Sequence, residues 1–169
     1  MKQTLARMEA ERKELNDKMG KLFAFITSDK FQGLDTTIKG LLHAQYAAMT
    51  DYMNALCLRS TRMETGMGGF AGFGFGAAIT LLKHGMVVCR NGWDKDLVVF
   101  KQVPASIKED IVPKMQSLPD EAKRLIMDGE KHIDYTAQCL VYNRATGQAD
   151  SWQPTTADVF SYDWMLVTE

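Results

Sequence analysis

Between residues 5 and 26, Leu5, Met8, Leu15, Met19, Leu22 and Ile26 recur at three- and four-residue steps, and Arg12 occupies the slot between Met8 and Leu15. Side chains at that spacing share one stripe of an α-helix, so the segment predicts an amphipathic helix. The stretch SDKFQGLDTT (28–37) breaks the pattern. Ile38, Leu42, Gln45, Met49, Tyr52 and Leu56 then repeat it, with Asp35 or Thr36 placed to cap the new helix. Two helices of about 25 residues joined by a short break predict an antiparallel, coiled-coil-like hairpin over residues 1–62. Two stripes bury little surface on their own, so the hairpin is expected to self-associate. Arg12 and Gln45 either set the pairing register as polar seam positions or lie at the margin of the stripe.

The pattern then dissolves. TGMGGFAGFGFG (65–76) holds six glycines and three phenylalanines, too much glycine for a helix or strand, and predicts a connector over 63–76. Phe70, Phe73 and Phe75 give it the means to dock on a neighbouring surface. A phosphate-cradling loop is disfavoured there, because no strand precedes the glycines and the Lys and Ser/Thr of such a loop are missing.

From residue 77 the period changes. Ala77, Ala78, Leu81 and Leu82 form one face of a short helix that His84-Gly85 ends. MVVCR (86–90) and LVVFKQV (97–103) are β-branched runs around NGWDKD, predicting a hairpin with an Asn91-Gly92 turn. Residues 104–131, with prolines at 104, 113 and 119, predict a long loop with one helix near Asp120–Met127. TAQCLVYN (136–143), followed by an RATG turn, and WMLV (164–167) predict further strands. Thr155 with Asp158 three residues on is a capping-box variant that opens a single helical turn. The expected fold class is α+β: a small antiparallel-sheet domain with short helices over 77–169, preceded by the α-helical hairpin.

Composition narrows the function. The 169 residues are 46% hydrophobic and 24% charged, as in ordinary globular chains, with a net charge of -1. That balance disfavours a sequence-independent grip on a DNA or RNA polymer. Residues 1–62 hold ten basic and seven acidic side chains, and residues 63–169 hold ten and fourteen, so a boundary near 63 is expected. Apolar runs fall short of a membrane span and the N-terminal stretch is charged, which predicts a cytoplasmic protein without membrane attachment.

Cys57, Cys89 and Cys139, and likewise His43, His84 and His132, are scattered without metal-ligand spacing, so no metal, no cofactor and reduced thiols are expected. No serine sits in a nucleophile elbow and no nucleophile–base constellation stands out, so no catalytic residue is assigned. The tryptophans are more telling. Trp93, Trp152 and Trp164 all fall in the second half, each beside a turn residue or an aspartate. An indole stacks on a nucleobase while neighbouring polar groups hold ribose hydroxyls. Trp164, flanked by Met165-Leu166-Val167, is expected in the core; Trp93 and Trp152 are divided between core and ligand roles.

Three motifs carry a resemblance over residues 75–169. Phe75–Gly85 fits F-x-x-A-x-x-x-L-K-x-G, Arg90–Trp93 fits R-x-G-W, and Trp152–Trp164 fits W-x-x-S/T-x-x-D-x-x-x-x-D-W. This half resembles the second Thoeris anti-defence family of phages. The resemblance implies a homotetrameric sponge that binds the nucleotide signal glycocyclic ADP-ribose, and in some members cyclic dinucleotides at a separate site, without cleaving it. On that basis Arg90 is expected on a pyrophosphate or ribose-phosphate, aided by the backbone amides of Asn91–Trp93 and by the helix start at Thr155–Asp158. Trp93 and Trp152 would wall the base, Thr155 and Asp158 would meet ribose hydroxyls unless Asp158 serves only as a cap, and Asp94 and Gln153 complete the expected ligand-binding set. The rival expectation is a phage structural or adaptor protein, in which the hairpin oligomerises and the tryptophans anchor a protein partner. A nucleotide hydrolase or transferase is the other.

Overall fold

In the computed structural model, residues 2–66 and 72–168 are described. Helix α1 (Lys2–Ile26) and helix α3 (Thr36–Thr65) form the hairpin, with a four-residue helix α2 (Asp29–Gln32) in the break between them. Asp35 caps α3, its carboxylate accepting from the amides of Thr37 (2.9 Å) and Ile38 (3.1 Å). Met8, Leu15 and Leu56 are the buried centre of the seam, with Met19, Met49, Met53 and Met63 packed around them.

On α3 the seam departs from the expected stripe. It runs through Met49, Met53, Leu56, Ser60 and Met63, and α3 continues about two turns past Leu56. Gln45 is exposed, and Tyr52 sits at the margin, donating to the Glu11 carboxylate of α1. Ser60 is tolerated in the seam because its hydroxyl donates to the Leu56 carbonyl at 2.9 Å. In the break, Phe31 is buried and meets Phe25 and His43 edge-on, closing the end of the hairpin.

After helix α4 (Phe75–Lys83) come strands β1 (Val88–Arg90), β2 (Leu97–Gln102) and β3 (Ala105–Ile107), then helix α5 (Asp120–Asp128). Strands β4 (Ile133–Tyr135), β5 (Gln138–Asn143) and β6 (Ala149–Ser151), helix α6 (Thr156–Val159) and strand β7 (Trp164–Leu166) follow. Five strands make one antiparallel sheet in the order β6-β5-β2-β1-β7, and β3 pairs with β4. The expected 104–131 loop is thus partly a ribbon. Gln102 faces Gln138 and Ala105 faces Tyr135, so β2–β3 and β5–β4 are one two-stranded ribbon in a single register. Pro104 interrupts it, since a proline has no N–H to give the ladder.

The β1–β2 connection is also not the tight two-residue turn that Asn-Gly suggests. Two turns follow each other, Trp93 N–H donating to Arg90 O (3.1 Å) and Leu97 N–H to Asp94 O (3.0 Å). The tight turn is instead at the end of β5, where Gly147 takes φ +75° and its N–H donates to Asn143 O (2.8 Å).

One sheet face carries the core: Val88, Val99 and Trp164 pack under Ala78 and Leu82 of α4 and under Phe73. Ala55 and Leu58 of α3 reach the same cluster, so the hairpin docks on the sheet domain. The segment expected as a connector is narrower than 63–76: Thr65 ends α3 and Phe75 begins α4. Phe73 pairs its backbone with Trp164 (2.7 and 3.2 Å) and is buried, while Phe70 lies outside the described residues. Gly74 cannot cap α4 with a side chain, and Asp51 of α3 supplies the carboxylate, accepting from Gly74 N–H at 2.8 Å. Asn54 donates to the Gly72 carbonyl beside it.

Candidate functional site

The polar centre of the sheet domain is built on Arg90, the last residue of β1. Its Nε donates to Asp163 Oδ1 and its Nη1 to Asp158 Oδ1, both at 2.8 Å. Asp158 is held as firmly from the other side: Oδ2 accepts from the amide and from the hydroxyl of Thr155, each at 2.8 Å. With Asp158 N–H donating back to Thr155 Oγ1 (3.2 Å), the pair forms a full capping box on α6. Asp163 also accepts from Gly92 N–H (3.0 Å) and from the Ser161 hydroxyl, so the β1–β2 loop is fastened to the start of β7. A Cβ at Gly92 would stand 3.2 Å from Asp163 Oδ2, so any other residue there would push this carboxylate by a few tenths of an ångström.

Burial alone would raise both carboxyls, but the Arg90 hydrogen bonds, joined by those of Thr155 for Asp158 and of Ser161 and Gly92 for Asp163, hold both below the usual carboxylate range. The Arg90 guanidinium is pushed upward in turn, first by Asp163 and then by Asp158.

Next to this cluster the three indoles meet edge to face. Trp93 lies 5.3 Å from Trp164 and 6.2 Å from Trp152, and Trp152 lies 5.9 Å from Trp164. Trp164 is fully buried, as expected, and its Nε1 donates to the Asp158 carbonyl at 3.0 Å. Trp93 and Trp152 are half-buried. Beside Trp93 opens a cavity of about 310 Å³, walled by the β1–β2 loop on one side and by Met165–Thr168 on the other. That volume is at the lower end for small-molecule sites.

A family model described as Thoeris anti-defense 2-like domain matches residues 73–167. The chain belongs to the Thoeris anti-defence 2-like family. A second family model, Sequestin, matches residues 2–62, so the hairpin too is similar to a known family. No curated protein matches the chain. The coarse function follows: a phage anti-defence sponge.

In this Thoeris anti-defence 2-like chain the expected ligand residues divide. Arg90, Asn91, Trp93 and Asp94 line the cavity; Trp152, Gln153, Thr155 and Asp158 are not among its walls. Asp158 is 3% exposed with both oxygens engaged inside the fold, so its geometry is that of the cap and not of a ribose acceptor. Trp152 reaches the cavity only by packing on Trp93. Lys95, Arg144, Cys89 and Met165 line the cavity and were not singled out from the sequence. Cys89 and Met165 face each other across β1 and β7. A single strand pattern gives no sign of which partner lies opposite, and Arg144 reads only as part of the RATG turn.

Proposed function

We propose that this chain captures a nucleotide immune signal, glycocyclic ADP-ribose or a cyclic dinucleotide, in the cavity beside Trp93 and holds it unchanged, so that the bacterial effector reading it stays silent in the host cytoplasm. The observation that carries this reading is the cavity itself, whose walls bring together Trp93, Asn91 and the cationic residues Lys95 and Arg144. An indole face supplies about 1–3 kcal/mol of stacking per base, and polar groups fix its orientation. Capture without cleavage fits the nucleophile at hand. Cys89 is the cavity's thiol, and burial pushes it up, away from the reactive thiolate.

The proposal extends to assembly. The sheet's second face carries Cys89, Val98, Phe100, Leu140, Tyr142 and Met165, with Gln102, Gln138 and Ser151 at its margin; Val98 is buried and the other five are partly covered within the chain, while α4 packs on the opposite face. We infer that the hairpin of residues 1–62, whose Phe23 and Leu41 are exposed, joins subunits into a homo-oligomer, a tetramer by resemblance, with residues 77–169 as the binding domain.

The test is to mix purified protein with glycocyclic ADP-ribose and with a panel of cyclic dinucleotides, remove the protein by filtration, and assay free ligand before and after heat denaturation. Ligand that disappears and returns intact supports capture. Ligand that returns as a product makes the chain an enzyme, and ligand that never leaves the filtrate overturns the reading.

A further inference from the structure

The positive charge of the cavity does not come from the residue its motif suggests. Arg90 lies between Asp158 and Asp163, so the three side chains together are net negative and offer an approaching anion no net attraction. Lys95, from the β1–β2 loop, and Arg144, from the turn after β5, line the same cavity. Among the described residues neither has a carboxylate at ion-pair distance. Asp94, the acidic residue beside them, has Oδ1 turned into its own loop, accepting from Asp96 N–H at 3.0 Å.

Arg144 is presented by a rigid turn. Asn143 Oδ1 accepts from the amides of Ala145 (2.9 Å) and Thr146 (3.2 Å), and Arg144 N–H donates to Asp96 O at 2.8 Å. One guanidinium nitrogen, Nη2, donates to the Lys95 carbonyl, which ties the two cationic residues together and leaves the rest of the fork for a ligand. At Cys89 burial pushes the thiol up, Arg144 lowers it and Asp163 raises it, so its net direction is upward.

Resting on the nucleotide reading above, we propose that Lys95 and Arg144 are the phosphate-binding pair of this cavity, holding pyrophosphate or phosphodiester oxygens while the base lies against Trp93. Arg90 then acts as a positioning residue, keeping the loop that carries Trp93 and Lys95 fastened to β7 through Asp163.

The test measures binding of glycocyclic ADP-ribose by calorimetry, and of inorganic pyrophosphate by 31P line broadening, to the full chain and to K95Q, R144Q, R144K and K95Q/R144Q. Thermal midpoints show that each variant is folded. The expected result is a loss of about tenfold or more for each neutral variant, partial recovery in R144K, and a weaker salt dependence in the double variant. If the parent chain binds the nucleotide and K95Q/R144Q binds it equally well, the phosphate assignment is overturned and the nucleotide reading stands. If the parent chain binds pyrophosphate but no nucleotide, and the double variant loses pyrophosphate, the phosphate assignment stands and the nucleotide reading falls. A parent chain that binds neither probe overturns both.

Discussion

Arg90 holds two carboxylates at once, and its removal leaves both without their cation. Breaking a buried pair by deleting one partner costs about 3–5 kcal/mol. Since the Asp163 side chain is 33% exposed, R90Q is expected near the lower end, about 3 kcal/mol by urea denaturation. Acid should act on the same cluster. Asp158 and Asp163 are held below the usual range in the fold, so their contribution is complete above the unfolded value of about 4 and is lost as pH falls through the folded values. The contribution of this cluster to the urea midpoint should therefore be constant from about pH 7 to 5 and be lost below about 4, so the acid drop is less steep in D158N. At the cavity mouth, W93L is expected to weaken nucleotide binding by about tenfold or more, read by calorimetry, as the stacking surface is lost.

At the scale of elements, the connector between α3 and α4 makes a close backbone approach to the segment that enters β7. A Cβ on Gly72 would stand 2.6 Å from the Tyr162 carbonyl oxygen, which belongs to backbone and cannot swing aside. G72A is expected to lower stability by about 2 kcal/mol through the forced shift. Gly20, inside α1, meets nothing within 4 Å of its would-be Cβ. G20A should raise stability by about 0.5–1 kcal/mol, because alanine loses less backbone entropy in a helix. Thermal denaturation of the two variants, with opposite signs, separates a packing glycine from an incidental one. Helix periodicity and the glycine stretch were legible in the sequence; that Gly72 lies against β7 was not, because the contact joins positions ninety residues apart.

At the scale of the whole molecule, the surface that offers apolar side chains for association is the outer hairpin, where Phe23 and Leu41 stand more than half exposed. Sedimentation velocity should give a mass above that of one chain, and L41E, which places a charge on the exposed apolar side of the hairpin, should shift the boundary toward the single chain. A boundary at one-chain mass for the parent protein would remove the oligomer from the proposal while leaving the cavity intact.

The sequence by itself determined the α+β class, the helical hairpin, the short helix at Asp120 and the buried Trp164, and narrowed the cap of α3 to Asp35 or Thr36, because each rests on local periodicity or on a turn residue acting within a few positions; the structure chose Asp35. The ribbon beyond Pro104 escaped it, since Ala105–Ile107 and Ile133–Tyr135 are too short to show a period and form only by pairing with each other. The same holds for the site. Motif spacing singled out Arg90, Trp93 and Asp158, yet which of them faces a ligand and which is enclosed by the fold depends on charges brought together from distant segments. Tertiary structure alone joined Arg90 to Asp158 and Asp163, taking its charge into the fold, and alone set Lys95 beside Arg144 at the open edge of the cavity.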